Sequence, residues 1–98
     1  MIGQFCQGLA MAKAIKEIRL SKELTQEFFS DISSRTYMSV LENGKKRPSV
    51  EKVDSLANAI GVHPLTILTL SYLIANEELK LDDLQKKIYD ELKEINRT

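Results

Sequence analysis

Apolar positions recur at helical spacing in one segment of this chain after another. Met11, Ile15 and Ile18 mark a first helix over 8–20, with Lys13, Lys16, Glu17 and Arg19 between them, while residues 1–7 show no clear period. Ser21–Glu23 is a short connection. A second helix is expected from Thr25, its N-cap, to Ile32, with Phe28 and Ile32 as an i, i+4 pair and one aromatic in the core. A third runs over 34–43 and ends at Asn43-Gly44, the usual left-handed stop. Ser49 caps a fourth, whose stripe is Val50, Val53, Leu56, Ala57 and Ile60 and which Gly61 closes. His63 and Pro64 open a fifth that is apolar nearly all round, so it must be buried on more than one side. Asp82 and Gln85 read as the capping box of a last helix over about 82–96, striped by Leu81, Leu84, Ile88, Leu92 and Ile95. The pattern predicts an all-α chain: a compact five-helix core over about 8–76 with an additional C-terminal amphipathic helix, all within one domain, 1–98.

The second and third helices stand so close that they must cross steeply, in a helix-turn-helix geometry whose second helix usually enters a DNA major groove. Met38 and Leu41 lie three apart and pack inward. Arg35, Thr36 and Ser39 point the other way and are candidates for base contact: short polar groups allow close approach, and one guanidinium suits guanine O6 and N7. Tyr37 places a hydroxyl at a phosphate position, and Ser34 and Asn43 flank the helix as further candidates. Lys45, Lys46 and Arg47 follow on a loop suited to gripping the phosphate backbone.

At these residues the chain resembles the Cro/repressor-type (Xre-like) helix-turn-helix family of phage repressors and bacterial transcriptional regulators. The matching motifs are Leu24-Thr25-Gln26-Glu27, Ser34-Arg35-Thr36-Tyr37-Met38-Ser39, Leu41-Glu42-Asn43-Gly44-Lys45 and Pro48-Ser49. The resemblance runs from about Met11 to Leu68. It implies that Gln26, at the start of the second helix, holds a phosphate, and that Arg19 and Glu42 form an ion pair tying the first helix to the end of the third. The chain departs from the family in two places. Glu23 stands where Gly is common, so it must accept an unusual dihedral or the turn must find another route. The segment between Gln26 and Tyr37 is two residues shorter than usual and has no Gly in its turn.

Charge adds a detail. The 14 basic and 14 acidic side chains cancel, which at first argues against a nucleic-acid partner. Residues 1–50, however, hold 8 cations and 5 anions, and residues 51–98 hold 6 and 9. A basic half able to face phosphate is joined to an acidic half that turns away. The single cysteine, Cys6, rules out an internal disulfide framework and makes a reducing compartment the default. No signal-peptide pattern opens the chain, and the longest apolar stretch, 64–75, is too short to span a bilayer, so a cytoplasmic protein is expected. His63 is the only histidine and no metal-ligand cluster or cofactor motif accompanies it; it reads as the residue that starts the fifth helix. Nothing pairs a nucleophile with a base, so no enzyme is expected.

These readings converge on a sequence-specific regulator, a repressor by expectation, that binds double-stranded DNA at an inverted-repeat operator. One such module offers few base contacts, so a homodimer is expected. The fifth and last helices would join the subunits through Leu70, Leu73, Leu84, Ile88 and Leu92. The alternative is a protein-interaction module, such as an antitoxin-like partner, that holds a second protein with its C-terminal helix. A non-specific nucleoid protein is a third possibility that zero net charge disfavours.

Overall fold

The computed structural model describes residues 4–29 and 35–97, and within them the chain is helical with no strand. In chain order the elements are α1 (Gln4–Ser21), a 3-10 turn (Gln26–Phe29), α2 (Arg35–Glu42), α3 (Val50–Ile60), α4 (Pro64–Ala75) and α5 (Leu81–Glu94). The all-α expectation holds.

α1 begins four residues before its expected start. Its inward positions are held largely by small residues: Ala10, Ala12 and Ala14 are buried beside Ile15 and Ile18. The added first turn, residues 4–7, carries no clear apolar period of its own, so its helical state is not visible in the sequence. Small side chains also let neighbours approach closely, and α1 packs against both α4 and α2.

The turn after α1 resolves the question posed by Glu23, which adopts φ 57°. Its N–H donates to the Leu20 carbonyl at 2.9 Å, and Leu24 N–H reaches the Arg19 carbonyl at 3.1 Å. This pair of bonds is the Schellman closure normally built on glycine. A left-handed conformation costs a side-chain-bearing residue roughly 1–2 kcal/mol, offset in part by the flexibility glycine adds to the unfolded chain. Glu23→Gly is therefore expected to stabilise the fold by about 1 kcal/mol, measured as a rise in thermal midpoint of roughly 4–8 °C.

The described part of the second element is a 3-10 turn where an α-helix from Thr25 was expected; Ile32 lies outside the described residues. Phe28 N–H bonds the Thr25 carbonyl three residues back, at 3.1 Å, which winds this short segment more tightly than an α-helix. The tighter turn drives Phe29 fully into the core and leaves its edge-to-face partner Phe28 nearly half exposed. Phe29 is thus the core aromatic. Around it lie Ile15, Ile18, Met38, Leu41, Val53, Leu56, Ala57, Ile60 and Ile67.

α3 and α4 match their expected boundaries closely. Ser49 Oγ accepts from Lys52 N–H at 3.1 Å, and Gly61 stops α3 at φ 94°. Val50 departs from the expected stripe: as the first helical residue it projects past the edge of the core and is 75% exposed. His63 does more than precede Pro64. Its Nδ1 accepts from Leu65 N–H at 3.0 Å and so caps α4. The chain bends by 108° between α3 and α4, and no single described helix is long and apolar enough to cross a membrane.

α5 starts at Leu81 behind Lys80, which makes no side-chain cap, so the expected Asp82/Gln85 box does not form. Asp82 and Asp83 lie inside the first turn instead, where their charge complements the helix dipole. The helix ends at Glu94, not near 96, because Asn96 turns left-handed at φ 61° and Arg97 N–H closes on the Leu92 carbonyl at 3.0 Å.

Candidate nucleic-acid interface

α2 is the candidate recognition element, and its orientation is set from three sides. Met38 and Leu41 are fully buried, as their spacing requires, and fix one face of this eight-residue helix against the core. At the C-terminal end, Gly44 at φ 75° lets its N–H reach the Leu41 carbonyl at 3.0 Å while Lys45 N–H reaches Val40 at 3.1 Å. The same glycine lies against α1: a Cβ there would stand 2.6 Å from Leu9 Cδ2. Any other residue at 44 would meet both the wrong dihedral and that side chain.

The third anchor is the ion pair that the resemblance implies. Arg19 Nε and Nη2 donate to the two oxygens of Glu42 at 2.7 and 2.9 Å, a bidentate fork with both side chains almost wholly buried. Arg19 Nη1 donates to the Leu24 carbonyl at 2.7 Å. One guanidinium therefore joins α1, the turn after it and the end of α2. Its hydrogen bonds to Glu42 raise the arginine above its ordinary pKa, against the opposing effect of burial.

Gln26 joins this network. Its Nε2 donates to Glu42 Oε1 at 3.1 Å, which aims the amide along the edge of α2. An amide nitrogen has two N–H donors, so one remains for a phosphate while the other is held by Glu42. The sequence placed Gln26 at the interface but gave no sign of this second tie.

The other candidate residues follow one another along α2 and the loop after it. Arg35 and Thr36 open α2, Ser39 follows one turn later and is half-buried, and Ser34 lies outside the described residues. Asn43 is exposed and its N–H bonds the Ser39 carbonyl at 3.1 Å, so it continues the helix for one more residue. Lys45, Lys46 and Arg47 are exposed on the loop between the Gly44 turn and the Ser49 cap. Tyr37 is half-buried, packs against the core, and meets Lys46 through the face of its ring. Lys52, which the sequence reading passed over, meets the same ring from α3. The two lie fifteen positions apart, and no local pattern links them.

The residues expected to join subunits lie on α4 and α5. Leu70, Leu73, Ile88 and Leu92 line one apolar groove between α4 and α5, together with Leu65 and Leu81. Leu84 is half-buried and is not part of that lining. Among the described residues, no group of three or more His, Cys, Asp or Glu side chains could hold a metal ion.

A short helical turn followed by a core-anchored helix, with a cationic loop after it, is the arrangement of the helix-turn-helix class. Residues 15–67 match the family described as helix-turn-helix, more than half the chain, and the protein belongs to that family. It is similar to Control protein C.BamHI of Bacillus amyloliquefaciens, 34% identical over 76 residues that cover 74% of this chain and 91% of the relative. It is also similar to the immunity repressor protein of Bacillus phage phi105, 26% identical over 92 residues that cover 91% of this chain. The aligned stretch is 64% of that repressor's length. No solved structure matches the chain significantly.

Proposed function

We propose that this protein is a sequence-specific DNA-binding transcriptional regulator, a repressor, that acts in the cytoplasm as a homodimer on an inverted-repeat operator. The observation that carries the reading is the fixed pose of α2. A helix of eight residues has little stability of its own. Here the buried fork from Arg19 to Glu42, the Gly44 closure and the buried Met38 and Leu41 hold it rigidly. Arg35, Thr36 and Ser39 on it are of the residue types that read base edges in a major groove. Gln26, Ser34, Tyr37, Asn43 and the 45–47 cations would position the helix on phosphates. Membership of the helix-turn-helix family, and similarity to proteins named a repressor and a control protein, support the same reading.

The groove lined by α4 and α5 supports the dimer reading. α5 has no buried residue, and Leu81, Ile88, Tyr89, Leu92 and Ile95 on it are all exposed. α4 covers one side against α1 and leaves Leu65 and Tyr72 open on the other. A continuous apolar groove of this kind marks an association surface. A second copy docked there would set two recognition helices on successive major grooves about 34 Å apart.

The test is selection of bound duplexes from a random pool at about 150 mM salt, where phosphate-only binding is already weakened. An enriched inverted repeat with half-sites about one helical turn apart is the expected result. Arg35→Ala should stay folded and dimeric, lose about 1–3 kcal/mol, and relax the preference at one base pair of each half-site. A pool with no enriched sequence would sink the regulator reading in favour of a protein-interaction module working through α5.

A further inference from the structure

Lys52 does not belong to the recognition helix or to the basic loop, yet the fold delivers it to the same place. It sits in the first turn of α3, half-buried, with its N–H held by the Ser49 cap. Its Nζ stands 5.1 Å from the centroid of the Tyr37 ring, and Lys46 Nζ stands 5.7 Å from the same centroid. The two ammoniums are therefore no more than about 11 Å apart, each within the range at which a ring face attracts a cation. One aromatic ring thus gathers cations from two elements beside the third residue of α2.

We propose that Lys52 is a phosphate-contacting residue of the DNA interface, with Tyr37 as the positioning residue that holds Lys46 and Lys52 together on its ring. This rests on the DNA-binding reading above and adds a contact from α3 to it. An ammonium carries a full charge and three donors, the chemistry that a phosphate oxygen accepts. Positions 45–52 carry four cations and one carboxylate, Glu51. Glu51 and Asp54 are one and two positions from Lys52, offsets that do not share its helix face. A DNA strand presents one charge per about 3.4 Å of axis, so ammoniums within about 11 Å of each other fall within a few phosphates of one strand.

The test measures affinity of the full-length chain for the selected duplex and for a scrambled one, across about 50–200 mM salt, where each phosphate contact contributes about 0.9 to the slope of log K against log salt. Lys52→Gln should lower the slope by about one contact and weaken both duplexes alike, about 3–10-fold at about 150 mM salt, with an unchanged melting temperature. Lys52→Arg should keep the slope. Tyr37→Phe, which retains the ring, should also keep it, whereas Tyr37→Leu should lower it; a purely structural role for the ring would leave the slope unmoved. An unchanged slope for Lys52→Gln overturns the assignment and leaves the regulator reading standing, as does a loss confined to the selected duplex. A wild-type chain that binds neither duplex overturns both.

Discussion

Glu42→Ala is expected to lower the stability of the fold by about 3–5 kcal/mol, because it strands a buried charge without removing it. Arg19 is 7% exposed and would keep only the Leu24 carbonyl as a partner. Gln26 would lose its acceptor at the same time. Against a total of about 5–15 kcal/mol for a typical domain, such a loss approaches the threshold of folding. A urea titration reads it as a lower midpoint with an unchanged slope. Arg19→Lys should fail to preserve stability, since one ammonium cannot supply the fork to both carboxylate oxygens and a third bond to a carbonyl. The paired change Arg19→Met with Glu42→Leu should recover much of the loss, because apolar groups of similar volume remove the desolvation cost along with the attraction. A small effect of Glu42→Ala would show that water reaches the guanidinium and that the fork does not fix α2.

Ile88→Lys combined with Leu92→Lys is expected to dissociate the dimer and to weaken operator binding by about 10²–10⁴-fold, the gain normally conferred by linking two modules. Both residues are exposed in the isolated chain and line the α4/α5 groove, so helicity should survive. Sedimentation equilibrium should then give the mass of the 11.1 kDa chain in place of twice that value. A wild-type chain that is monomeric at the concentrations of DNA binding would sink the dimer proposal directly.

Much of the fold was legible because its stops are chemical. Ser49, Gly61 and Pro64 mark boundaries that the structure keeps to the residue, and the spacing of Met38 and Leu41 gave the buried face of α2. The Arg19–Glu42 pair came from the resemblance, since nothing in the residues themselves links positions so far apart. Three features were not legible. The early start of α1 was hidden because residues 4–7 carry no clear apolar period. The 3-10 turn at Gln26–Phe29 was hidden because its tighter winding depends on hydrogen bonds, and the Gln26 amide is pulled toward a glutamate on another element. The capping box at Asp82 failed because a motif of two polar residues fits more than one register at the start of a helix. Lys52 was not legible either: it meets the Tyr37 ring from the first turn of α3, fifteen positions on, and no local pattern links the two.

The loop between α2 and α3 is pinned at each end, by the Gly44 closure and by the Ser49 hydroxyl. Lys45, Lys46 and Arg47 are therefore held on a backbone that is already ordered before any partner arrives. The phosphate contact proposed for them would release counterions without first having to organise a disordered segment, so little of the interaction would be lost to ordering. In calorimetric terms, the heat-capacity change of complex formation should follow the surface covered by the duplex and carry no extra share from coupled folding.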